Sequence, residues 1–82
     1  MELSDLRIFE TVARTGAMNR AAAELHTVQS NVTARVRLLE DNLGAALFDR
    51  HSRGVRLTPA GERLLPFAKA AARLVADARR AV

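Results

Sequence analysis

Six polar side chains crowd nine residues near the middle of this chain: Gln29, Ser30, Asn31, Thr33, Arg35 and Arg37. None is a carboxylate, and none is a nucleophile with a base beside it. They share directional hydrogen bonding from short amide and hydroxyl groups, followed by guanidinium. An amide can offer a donor and an acceptor together to an adenine edge, and arginine can fork onto guanine or phosphate. A second concentration, Arg50, Arg53 and Arg56, follows within seven residues. These are the groups of a recognition surface. An enzyme fits poorly, because there is no Cys, no acid–base pair at a working spacing and no glycine-rich phosphate loop. His26 and His51 lie too far apart in sequence to suggest a metal site, and no cofactor is implied.

The first cluster needs a helix to carry it. At about 100° per residue, Val28, Val36, Leu39 and Leu43 fall close to Val32, while Ser30, Thr33, Ala34 and Arg37 fall opposite. This predicts a helix from near Val28 to about Leu43, sealing a core with one face and presenting polar groups on the other. Before it, Met18 to Leu25 reads as a short alanine-rich helix, and His26-Thr27 as a tight turn. His26 suits a left-handed backbone, and Thr27 is expected to cap the following helix. An ordinary amphipathic hairpin with a solvated face would share this periodicity. Two details favour a DNA-reading helix-turn-helix over residues 18–37. Ala21, Ala22 and Ala23 permit a close helix crossing, and the exposed first turn is hydrogen-bonding yet free of acids.

Leu3, Leu6, Phe9, Val12 and Ala13 predict a helix within the first 15 residues, stopped by Gly16. After Gly44, Ala46–Arg50 and Val55–Leu57 suit two strands around the turn His51-Ser52-Arg53-Gly54. Such a hairpin beside a helix-turn-helix is a wing, able to follow the DNA backbone or enter the minor groove. Thr58-Pro59 then opens a last helix over 59–82. Its stripe of Leu64, Phe67, Ala68, Ala71, Leu74, Val75 and Ala78 invites pairing with a second copy, or packing back on its own domain. Pro66 removes one hydrogen bond within it. The fold expected is mainly α: a winged helix-turn-helix, with a three-helix core and a two-stranded β wing over 1–58, followed by a long linker helix.

With 82 residues the chain is one small domain. Net charge is +4 and unevenly spread: residues 1–44 hold five Arg and six acids, a net −1, whereas 45–82 hold eight bases and three acids, a net +5. Of thirteen bases only Lys69 is a lysine, a preference that suits phosphate and guanine. The absence of Cys fits a reducing cytoplasm, and no apolar run is long enough to span a bilayer.

The order helix, helix, turn, helix, wing, long helix resembles the N-terminal DNA-binding domain of LysR-type bacterial transcriptional regulators. The resemblance covers essentially the whole chain. It rests on Leu3…Leu6…Phe9…Val12-Ala13, Gly16, Arg20-Ala21-Ala22, Leu25-His26, Gln29, Val32-Thr33, Leu39-Glu40, Leu43-Gly44, Leu47-Phe48-Asp49-Arg50 and Gly54…Leu57-Thr58-Pro59-Ala60-Gly61. It implies that the third helix enters the major groove, with Gln29 at a base-contacting position, Thr33 near base or phosphate, and Arg53 reaching toward the minor groove. It also implies a linker helix paired antiparallel in a dimer, a further effector-binding domain beyond this chain, and tetramers at full length. The family pattern usually has Ser before the glutamine, Pro after it and often Arg at position 34; here these are Val28, Ser30 and Ala34.

The resulting expectation is a sequence-specific DNA-binding module of a cytoplasmic transcription regulator. Base contacts are assigned to Gln29, Ser30, Asn31, Thr33 and Arg35, and phosphate or minor-groove contacts to Arg37, Arg50 and Arg53. The homodimer interface is assigned to the last helix's stripe, and the DNA site to an interrupted inverted repeat. A winged helix that binds protein instead would more often show an aromatic or aliphatic anchor on the Ser30–Thr33–Arg37 face, where no Phe lies.

Overall fold

The structure is a computed structural model that describes all residues, 1–82. It has the element order α1 (Leu3–Thr15), α2 (Met18–Glu24), α3 (Gln29–Leu43), β1 (Phe48–His51), β2 (Gly54–Leu57) and α4 (Pro59–Ala81). The expected winged helix-turn-helix with a long final helix is what forms.

Helix α1 starts where the Asp5 carboxylate accepts the Glu2 backbone N–H at 2.8 Å, and it ends at Gly16, whose φ of 76° is left-handed. Phe9 and Val12 are fully buried on its inner face. From α2, Met18, Ala21 and Ala22 enter the same core; Ala23 faces solvent. His26 takes φ 57°, the left-handed conformation anticipated for the turn. Val32, Val36 and Leu39 complete the contribution of α3. Phe48 stacks at a tilt on Phe9, ring centroids 5.3 Å apart. Truncating a side chain as deeply buried as Phe9 to Ala would cost about 3–5 kcal/mol.

Three expectations about α3 need correction. Val28 is not on the buried face: it is the N-cap, with extended backbone, and is 64% exposed. The wheel angle assumes helical geometry, which Val28 does not have. Leu43, at the far end, projects past the core and is also exposed. Thr27 does not cap α3 with its hydroxyl; instead that oxygen accepts from the Asn31 amide at 3.1 Å.

The wing is antiparallel, pairing Phe48 with Leu57 and His51 with Gly54 around a two-residue tip, Ser52-Arg53. Its root is tied to all three flanking helices. Gly16 carbonyl oxygen accepts the Val55 N–H at 2.9 Å. Gly54, at φ 132°, passes so close to Gly16 that an added Cβ would lie 2.2 Å from that carbonyl oxygen. Thr58 caps α4 as expected, accepting from Gly61 N–H at 3.1 Å and donating to Ala46 carbonyl at 2.6 Å. On the α3 side, the Glu40 carboxylate accepts the Leu47 and Phe48 N–H groups at 2.7 and 3.3 Å.

Helix α4 runs through Pro66 and packs along α1. The assignment of its whole stripe to a dimer interface is therefore corrected. Ala68 belongs to the core of its own domain at 1% exposure, and Leu64 packs against that core. Phe67 and Leu74 sit about 70–90° round the helix from the Leu64–Ala68–Ala71–Val75 line, and each is 70% exposed. Ala78 is exposed as well.

Candidate nucleic-acid interface

The polar cluster on α3 divides by face. Gln29, Ser30, Asn31, Ala34 and Arg37 are exposed, and Thr33 is half-buried at their edge. The first turn of α3 carries no acid, so nothing there repels phosphate. Its unpaired backbone N–H groups add partial positive charge at the same end. Arg37 has no carboxylate within 4 Å.

Arg35 departs from the expectation of a DNA contact. Its guanidinium donates to Asp5 at 3.0 Å and to Ser4 at 3.3 Å, joining α3 to the start of α1. The Asp5 carboxyl lies below its ordinary value, held there first by the Glu2 backbone N–H and then by Arg35. Asn31 is likewise engaged, its amide nitrogen turned back onto Thr27.

Arg50 and Arg53 take different stations on the wing. Arg50 lies 3.5 Å from Glu40 with its side chain one-third exposed. Arg53 sits at the tip, exposed, and its backbone N–H donates to the His51 ring at 3.3 Å. Both line an open cleft between the wing and the start of α2, together with Asn19, Arg20, His51 and Ser52. The cleft gathers three arginines without one carboxylate in its lining. Arg20 was missed by sequence reasoning, because it sits on the helix before the reading helix. Only the fold brings α2 beside the wing. Its guanidinium donates to Thr15 carbonyl at 3.1 Å, which settles the side chain at the cleft's edge.

Two further arginines are paired within the chain. Arg14 bridges Glu10 and Glu24; this lowers the Glu24 carboxyl and raises the Arg14 guanidinium from their ordinary values. Arg80 pairs with Asp77. Positive charge with no carboxylate within 4 Å lies at Arg37, at Arg20 and Arg53 in the wing cleft, at Arg7 and Arg56, and at Arg63, Lys69, Arg73 and Arg79 along α4. No group of His, Cys, Asp and Glu is placed to hold a metal.

Residues 3–62 match the family described as bacterial regulatory helix-turn-helix protein, lysR family. The chain is 56% identical over 68 residues to the HTH-type transcriptional regulator YofA of Bacillus subtilis, a match covering 83% of this chain and 24% of that protein. Among solved structures, a complex of the CbnR DNA-binding domain with DNA superposes with a TM-score of 0.86 at 38% identity, covering 99% of this chain and 97% of that one. The BenM DNA-binding domain in complex with benA site 1 DNA gives 0.82 at 31% identity, over 98% and 94%. The chain spans about a quarter of the length of the curated regulators it matches.

Proposed function

The chain belongs to the lysR family of bacterial regulatory helix-turn-helix proteins, as the DNA-binding domain of a transcriptional regulator and not an enzyme, and we propose that it reads a specific double-stranded site as one half of a homodimer. The observation that carries this is the exposed, acid-free first turn of α3, which presents Gln29 and Ser30 on a domain whose wing cleft gathers three arginines without a carboxylate. Gln29, Ser30 and Thr33 supply base readout, with Asn31 at the flank; Arg37, Arg50 and Arg53 supply phosphate or minor-groove contacts. Arg20 joins the second set. Arg35 leaves the first, because Asp5 and Ser4 already hold it. That DNA complexes of two homologous domains match nearly the entire chain supports the same reading.

The dimer is proposed to form through the exposed side of α4, Phe67, Leu74 and Ala78, with Ala71 and Val75 at its margin. A two-fold protein then matches an interrupted inverted repeat. In the full regulator, tetramer assembly, effector sensing by a further domain and action in the cytoplasm complete the proposal. No helix here is long and apolar enough to cross a membrane.

The test is selection of bound fragments from a sheared bacterial genomic library at low and moderate salt. Enrichment of an inverted repeat that survives the higher salt is expected. Uniform binding that vanishes with salt would leave only the phosphate contribution. On the selected site, Gln29→Ala should relax preference at one base pair by about 1–3 kcal/mol. Arg53→Ala should weaken all sites alike and reduce the salt slope by about 1. Equal loss on every sequence for Gln29→Ala would refute the readout role.

A further inference from the structure

Glu40 is the one side chain of α3 that hydrogen-bonds or ion-pairs to the wing. It sits ten residues beyond Ser30, three turns from the reading end, with its side chain 14% exposed. One carboxylate oxygen accepts two consecutive backbone N–H groups, Leu47 at 2.7 Å and Phe48 at 3.3 Å; the other faces Arg50 at 3.5 Å. The remaining hydrogen bonds at the wing's root run to other helices, Val55 to Gly16 after α1 and Thr58 to the loop before β1 at the start of α4, while Phe48 stacks on Phe9 of α1. Neither of these hydrogen bonds runs to the reading helix.

We infer that Glu40 is the positioning residue that sets the wing in register with the reading helix, so that base readout by α3 and the wing-tip contact of Arg53 can be made on one DNA duplex at once. The inference rests on the DNA-reading role proposed above. Its force comes from leverage. From Phe48 along β1 to the turn that holds Arg53 the wing reaches about 13 Å at about 3.3 Å per residue, so a tilt of about 10° at the root moves the tip by roughly 2 Å. A displacement of that size carries a donor from about 2.9 Å to beyond hydrogen-bond reach and breaks a phosphate contact. The carboxylate resists such a tilt because its acceptors hold two adjacent amides of the strand's root and the guanidinium two residues further on. Glu40 touches no DNA in this scheme. Its effect appears through Arg53 and Arg50 and leaves Gln29 untouched.

The experiment is a pair of double-mutant cycles on the folded 82-residue chain and the operator recovered by selection, with affinity measured at fixed salt. Glu40→Gln keeps the shape and an oxygen able to accept the Leu47 and Phe48 N–H groups, but removes the charge and puts an amide NH2 donor where the other oxygen faces Arg50. In the parent, Arg53→Ala is expected to cost about tenfold in affinity; in the Glu40→Gln background it should cost no more than about twofold. Gln29→Ala should cost the same factor in both. A purely structural weakening would leave both cycles additive or shrink both alike, and either result overturns the inference. So does a parent in which Arg53→Ala changes nothing, since the wing then has no contact to position. Loss of base preference by the parent on Gln29→Ala is read before Glu40 is touched, so failure of the DNA-reading proposal is seen separately. Should Glu40→Gln melt below the assay temperature, Glu40→Asp, which retains the charge on a shorter arm, serves in the same cycles with the same criteria.

Discussion

Substituting alanine at Gly54 and at Gly16 isolates the contact that fixes the wing to α1. Both glycines have positive φ, 132° and 76°, so both substitutions carry backbone strain. They differ in space: a Cβ at Gly16 meets nothing within 4 Å, whereas one at Gly54 lies 2.2 Å from the Gly16 carbonyl oxygen. That oxygen is backbone and already accepts Val55 N–H at 2.9 Å, so relief requires the wing and the end of α1 to part by about 1 Å, beyond hydrogen-bond reach. Gly16→Ala should therefore cost about 1 kcal/mol from left-handed strain alone. Gly54→Ala adds to a strain of about 1–3 kcal/mol the loss of a hydrogen bond worth about 1 kcal/mol, for a total of about 2–4 kcal/mol. In a domain of this size each kcal/mol lowers the melting temperature by about 4–8 °C. Thermal unfolding followed by far-UV circular dichroism should show drops of about 4–8 °C for Gly16→Ala and about 8–30 °C for Gly54→Ala. Equal drops, or a smaller one at Gly54, would refute the argument that close approach, beyond conformation, demands glycine there.

The two faces of α4 should separate under charge. Phe67→Glu is expected to leave the melting temperature of the monomer within about 2 °C while abolishing dimers in sedimentation, and Ala68→Glu to unfold the domain by burying an unpaired charge. Acid should destabilise the fold through Asp5, and weakly through the exposed Glu24. Both carboxyls lie below their ordinary values of 3.8 and 4.5 in the folded state, so their stabilisation is full above those values and is lost as pH falls through the lower folded ones. Urea midpoints should accordingly be flat from neutrality to about pH 5 and fall below about pH 4, with Asp5→Asn removing part of that slope.

What could be read in the sequence was whatever depends on neighbours within one helical turn or one hairpin. The Gly16 stop, the left-handed His26, the Thr58-Pro59 start and the wing's Arg-rich strands are all local signals, and each stands where its residues put it. The buried trio Val32, Val36 and Leu39 follows from periodicity in the same way. The same wheel misplaced Val28 and Leu43, because it specifies a direction in a helix and says nothing about where the packing partner ends.

The interface was legible to the same degree and for the same reason. Gln29 and Ser30 could be placed on a free face because their own helix decides it. Arg35 could not, since its carboxylate partner lies 30 residues earlier on α1, and Arg20 joins the cleft only once α2 lies beside the wing. In α4 the stripe of seven apolar residues is wider than one face, and a narrow domain can cover only the side turned toward α1. Ala68 fits there because it is small enough for α4 to lie against the core, and Phe67, one residue earlier, is thereby turned outward. One packing decision therefore makes the alanine structural and leaves the phenylalanine free for a partner. Composition cannot separate the two roles, since both residues are apolar and adjacent. The distinction belongs to the geometry of α1 against α4.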